Sequence, residues 1–128
     1  MINIKTSEQI EEMAEGGKIL AAILHALEAA TKPGVATKDL NTIARDMTLA
    51  AKAKPAFLGY QVGRNRFPAA LCVSVNDEVV HGIPGDRVLQ DGDIVGLDMG
   101  VIYKGWNLDA AVTVLVTDGK LPGRCSSV

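Results

Sequence analysis

The stretch from residue 93 to residue 116 constrains this chain more than any other. Its residues alternate in polarity on either side of Lys104-Gly105, as two strands joined by a tight two-residue turn do. The spacing predicts an antiparallel hairpin of strands 93–103 and 106–116. One face carries Val95, Leu97, Met99 and Val101 on the first strand, with Trp106, Leu108, Val112 and Val114 on the second. That face needs a core to cover it. The other face carries Ile94, Gly96, Asp98, Gly100 and Ile102, then Asn107, Asp109, Ala111 and Thr113. If Tyr103 faces Trp106, Asp98 faces Ala111 and Asp109 lies one diagonal step away. If the register slips by two, Asp98 faces Asp109 directly. Either way the two carboxylates share a face, with roughly 5 to 8 Å between their β-carbons.

Two acids this close repel until something neutralises them. A shared proton does so and raises one pKa. A divalent cation also does so, because hard cations take carboxylate oxygens. Plain solvation of an exposed strand face is the competing reading. It is weakened by the absence of any Lys or Arg on this face, and Gly96 and Gly100 leave room for a ligand beside Asp98.

The material to cover the apolar face lies upstream. Thr6 followed by Gln9 reads as a capping box, and Ile10, Met13, Gly17, Leu20, Leu24 and Leu27 form one helical stripe. Pro33-Gly34 ends that helix. A second helix opens at Thr37, with Asp39 in its first turn and Leu40, Ile43, Met47 and Ala51 as its stripe; Lys54-Pro55 closes it. Residues 57–68 read as a loop, 70–75 as a short β-branched strand and 76–85 as a turn-rich connection. The fold class is therefore α+β, with two helices packed on an antiparallel sheet. One domain over 1–120 and an irregular tail over 121–128 are expected.

Composition narrows the function classes. The chain has 128 residues, 48% hydrophobic and 22% charged, with a net charge of −2. That balance excludes a disordered or collagen-like chain and offers no basic surface for nucleic acid or an anionic membrane. Residues 19–30 are the longest apolar run, and His25 and Glu28 interrupt it. Two cysteines, Cys72 and Cys125, read as free thiols in a reducing compartment, and a cytoplasmic location is expected.

Several motifs together resemble type I methionine aminopeptidases, the pita-bread metallopeptidases. They are Asn-Asp-Glu-Val-Val-His-Gly-Ile-Pro at 76–84, Asp-Gly-Asp-Ile-Val-Gly-Leu-Asp at 91–98, and Asp109 eleven residues further on. Ile4-Lys5-Thr6, Lys32-Pro33-Gly34-Val35, Phe57-Leu58-Gly59-Tyr60, Phe67-Pro68 and the run from Leu71 to Asn76 add to the likeness. The resemblance reaches to about Lys120 and implies the N-terminal half of a pita-bread fold. It implies that Asp98 and Asp109 ligate divalent metal of the Mn, Co, Fe or Mg class. It implies that His81 contacts substrate and acts in catalysis, and that Phe67, Cys72 and Tyr60 line the methionine pocket. The implied activity is metal-dependent removal of an N-terminal methionine from peptides or nascent proteins; a non-catalytic half that binds peptide is the alternative. The family's remaining ligands, one His and two Glu, fall beyond the part of the pattern present here, so a C-terminally truncated chain is expected. Two copies packed as a homodimer, with Asp98 and Asp109 of each around one central site, would supply more ligands.

Overall fold

A computed structural model gives the protein's structure and describes residues 2–118. Helix α1 (Ser7–Ala30) starts at the expected capping box: the Thr6 side chain accepts from Gln9 N, and the Gln9 side chain accepts from Thr6 N. Its buried face is Gly16, Leu20, Ile23, Leu24 and Leu27. The stripe read from sequence is thus rotated slightly at its start. Ile10 is exposed, and Gly16 rather than Gly17 lies under the sheet, where Leu108 Cδ2 sits 2.8 Å from the place its β-carbon would take. A side chain there would push the hairpin away, so the helix turns its smallest residue toward the strands.

Helix α2 (Thr37–Ala50) follows after a short turn and buries Thr37, Leu40, Ala44 and Thr48. Ile43 and Met47 pack at the edge of the core. The Thr37 hydroxyl does not cap its own helix. It donates to Gly85 O at 3.0 Å and accepts from Gly85 N at 2.9 Å, tying the helix start to the connection before β5.

The strands are β1 (Lys54–Pro55), β2 (Gln61–Val62), β3 (Asn65–Arg66), β4 (Cys72–Val75), β5 (Ile94–Tyr103) and β6 (Trp106–Leu115). Among the described residues β5 is central, with β6 along one side and β4 and β1 along the other, all antiparallel. Strands β2 and β3 form a separate small hairpin inside the segment expected to be loop. Lys54-Pro55 not only ends the second helix but pairs with Ile102 and Val101 of β5. Lys104 at φ +49° and Gly105 at φ +86° make the two-residue turn that the right-handed strand twist favours. That turn fixes the register at Tyr103 opposite Trp106, and therefore Asp98 opposite Ala111 and Gly100 opposite Asp109. Of the two registers open from sequence, this is the diagonal one.

The core is the expected layer. Val95, Leu97, Met99 and Val101 of β5 are fully buried against Leu20, Ile23, Leu24 and Leu27 of α1 and Leu40 and Ala44 of α2. The N-terminal segment and the hairpin turn are joined by polar contacts: Trp106 Nε1 donates to Glu12 at 3.0 Å and Lys104 Nζ to Glu15 at 2.9 Å. The tail expected over 121–128, with Cys125, lies outside the described residues.

Truncating a fully enclosed strand residue tests this layering. Leu97→Ala leaves a cavity in the core, and it is expected to cost about 3 kcal/mol and lower Tm by roughly 10 to 20 °C. Thermal unfolding followed by circular dichroism reads it; a loss under 1 kcal/mol would mean the core lies elsewhere.

Candidate active site

The polar face of the β5–β6 hairpin forms the floor of a cleft of about 420 Å³. Its lining is Phe57, Tyr60, Phe67, Cys72, His81, Asp98 and Asp109. Each arrives by a distinct local cause. Asp98 and Asp109 come from the two hairpin strands, one diagonal step apart. Cys72 lies directly opposite Asp98 on β4. Tyr60 and Phe67 are held together by the small hairpin, with Phe67 N donating to Tyr60 O and Gly59 N to Phe67 O, both at 2.8 Å.

His81 is positioned by its backbone. It sits at φ +60°, a left-handed conformation that histidine adopts more readily than most residues but still at a cost. The next residue explains how the loop is held. Gly82 accepts from Val73 N at 2.9 Å and its N–H donates to Ser74 Oγ at 3.1 Å. A β-carbon on Gly82 would fall 2.0 Å from Val73 O, so only glycine lets the loop approach β4 this closely. Glu78 secures the near end of the same loop, accepting from Val75 N at 3.1 Å and from Arg87 Nη1 at 3.0 Å.

Phe57 is the lining residue that sequence reasoning missed as a site residue. Its ring edge lies 3.1 Å from where a β-carbon of Gly100 would be, with Ala56 at 3.0 Å. Gly100 therefore does not leave open space beside Asp98, as its composition implied. It makes a flat seat for Phe57, which walls the cleft. The signal was present as a glycine directly across from Asp109, but it could not name its occupant.

The electrostatics follow from the pairing. Burial pushes the Asp98 carboxyl above its ordinary value; the neighbouring Asp109 charge and a hydrogen bond shared with Asp109 push the same way, and His81 opposes them. Burial first, then the charges of Asp98 and Asp109, push the Cys72 thiol up to about 11. No Lys or Arg is among the lining residues. The cleft is therefore apolar and aromatic at one end and electronegative at the other.

Asp98 and Asp109 offer the hard oxygen donors that a divalent cation takes. Two carboxylates on one strand face, with no Lys or Arg among the lining residues, suit a hard cation. Among the described residues no group of three or more His, Cys, Asp and Glu side chains stands close enough to enclose an ion. The residues present thus fit one side of a metal site.

The comparisons with known proteins agree with this geometry. A model of metallopeptidase family M24 matches residues 11–122. The chain belongs to this family. It is 46% identical over 121 residues to a methionine aminopeptidase of Aquifex aeolicus, covering 92% of this chain and 47% of that one. The crystal structure of a methionine aminopeptidase from Rickettsia prowazekii superposes with a TM-score of 0.86 at 37% identity, covering 92% of this chain and 46% of the other. That from Thermotoga maritima gives 0.82 at 42% identity, covering 93% and 47%. The fold is thus the expected half of the pita-bread architecture, and the chain spans about half the length of the M24 relatives it matches. Among the described residues no helix is long and apolar enough to cross a membrane.

Two measurements probe the electrostatics of the cleft. Because folding raises the Asp98 pKa above its ordinary 3.8, the folded state holds more protons than the unfolded one in the window that starts there. Stability falls as pH rises through that window, and the penalty is complete above the folded pKa. Asp98→Asn is therefore expected to raise Tm at pH 7 and to leave it unchanged near pH 3; an equal gain at both would remove charge as the cause. Cys72, with a thiol at about 11, holds roughly 100-fold less thiolate at pH 8 than a thiol at its ordinary 9.0. Its alkylation by iodoacetamide, followed by mass spectrometry of the Cys72 peptide, is expected to be at least that much slower than in the urea-unfolded chain.

Proposed function

We propose that this chain acts in the removal of N-terminal methionine from peptides in the cytoplasm, as a metal-dependent aminopeptidase. The observation that carries the reading is one cleft whose lining joins three aromatic rings and a thiol to two carboxylates and an exposed imidazole, His81. The slot suits an unbranched, polarizable side chain: Phe57, Phe67 and Tyr60 offer ring faces and edges, and Cys72 offers a sulfur. Burying a methionine side chain there contributes about 1.5 to 3 kcal/mol. The peptide's free α-ammonium is drawn toward Asp98 and Asp109, which orients the first peptide bond over the sheet.

Asp98 and Asp109 would hold the divalent metal, of the Mn, Co, Fe or Mg class, and that metal would supply Lewis-acid activation of water and of the peptide carbonyl. His81 carries the mobile proton. Its imidazole can donate to the carbonyl oxygen as charge develops there and can protonate the leaving amine. Its strained, pinned backbone keeps the ring on the cleft lining without further ordering when substrate arrives. The Phe57 and Phe67 rings exclude water from the slot.

A second reading, peptide binding without turnover, is favoured by one observation: the described residues supply two close carboxylate donors and no larger donor group. One experiment separates the readings. Methionine release from Met-Ala-Ser is measured with added Mn²⁺ or Co²⁺, for the wild type and for Asp98→Asn, beside the thermal shift that Mn²⁺ produces. The aminopeptidase reading expects release that the substitution abolishes and a Tm rise on Mn²⁺ addition that it removes. Saturable binding of the peptide with no release in either protein would establish the binding reading and overturn the catalytic one.

A further inference from the structure

We propose that the free edge of β6 binds a second copy of this chain, strand to strand and antiparallel. The direction of the backbone groups can be worked out from the far side of β5. There Gly100 O accepts from Ala56 N at 2.9 Å, and Ile94 O accepts from Asn76 N at 2.8 Å. Backbone groups alternate in direction along a strand, so the odd-numbered residues of β5 bond to β6. Their partners there are Trp106, Leu108, Ala110, Val112 and Val114. Asn107, Asp109, Ala111, Thr113 and Leu115 therefore turn their N–H and C=O groups outward, and these groups find no partner among the described residues.

This edge lacks the usual protections. It is ten residues long, contains no proline, no Lys and no Arg, and carries a single charge, Asp109.

A second copy fits the edge in three respects. Identical strands pair antiparallel about a twofold axis, which closes the assembly at two. The register with Ala111 opposite the partner's Ala111 uses every outward-facing residue of β6. It sets Asp109 opposite the partner's Thr113, so like charges do not face each other and the two Asp109 residues lie roughly 13 Å apart along the strands. On the other face the same register sets Ala110 opposite the partner's Val112, small against large. A groove of about 160 Å³ between α1 and β6, lined by Ala21, Leu24, His25, Glu28 and Val112, gives the partner's side chains on that face a place to pack.

In this assembly both clefts open on the same side of one continuous sheet, and each keeps its own Asp98 and Asp109. The association therefore stands apart from the catalytic reading and is tested without substrate or metal. Sedimentation velocity of the full chain in EDTA is run over about 1 to 100 µM. The expected result is a monomer–dimer equilibrium with a micromolar dissociation constant. Thr113→Pro removes an outward N–H that β5 does not use, and Thr113→Lys sets a charge on the edge. Each is expected to weaken the dimer at least tenfold while the far-ultraviolet circular dichroism of the monomer is unchanged; if the proline variant does not fold, the lysine variant decides. A wild type that stays monomeric throughout overturns the proposal, as does a dimer that both variants leave intact. A monomer that instead forms a one-to-one complex with the C-terminal part of the Aquifex aeolicus relative overturns the second copy as the occupant.

Discussion

Everything that positions the cleft depends on the two-sided pairing of β5. This one strand bonds to β6 along its whole length and to β4 and β1 in succession on the other side. Its odd residues anchor the core, and its even residues share the opposite face, where Asp98 lines the cleft. Because the side-chain period is two, the same register that buries Val95, Leu97, Met99 and Val101 also obliges Asp98 to face the cleft. A slip of one residue would bury the carboxylate and expose the core together. Burial of the apolar face thus holds the acid in place, and the site needs no separate scaffold.

The closeness of Asp98 and Asp109 works against the fold rather than for it. Burial and like charge both disfavour ionised Asp98, and no basic side chain in the cleft offsets them. A purely structural site would relieve this with a lysine or an amide. Here the tension is kept, and it extends to Cys72, whose thiol is held neutral by burial and by the same two charges. A neutral thiol is a soft apolar wall and a poor nucleophile. The carboxylates thereby set the character of the slot beside them as well as the field at the floor.

Much of this was legible in the sequence, for identifiable reasons. Lys104-Gly105 marked a two-residue turn, and alternation on both sides then fixed the faces and left two registers, of which the structure forms the diagonal one. Thr6 and Gln9 marked the start of α1, and the capping box forms as its chemistry requires. What escaped was set by tertiary contact. The offset from Gly17 to Gly16 comes from where Leu108 meets the helix, which no period in the helix itself encodes. Strand β1 and the β2–β3 hairpin are two residues long in each strand, too short to leave a periodic signal. Phe57 was visible within a motif, yet its seat on Gly100 exists only once β1 pairs with β5.

The left-handed His81 carries the reasoning furthest toward chemistry. A loop free to relax would move this residue out of its costly conformation. It does not relax because Gly82 is held against β4 by two hydrogen bonds and by a contact no β-carbon allows, while Glu78 holds the loop's other end to Val75 and Arg87. The loop is fastened to the same short strand that carries Cys72 opposite Asp98. Strand β4 therefore fixes the imidazole, the thiol and the first carboxylate relative to one another. A displacement of β4 would move the imidazole and the thiol together relative to Asp98. The repulsion of Asp98 and Asp109 acts across the diagonal between β5 and β6, where strand pairing and the packing of α1 on the other face oppose it. Whatever neutralises that pair stabilises the hairpin and completes the cleft in the same act.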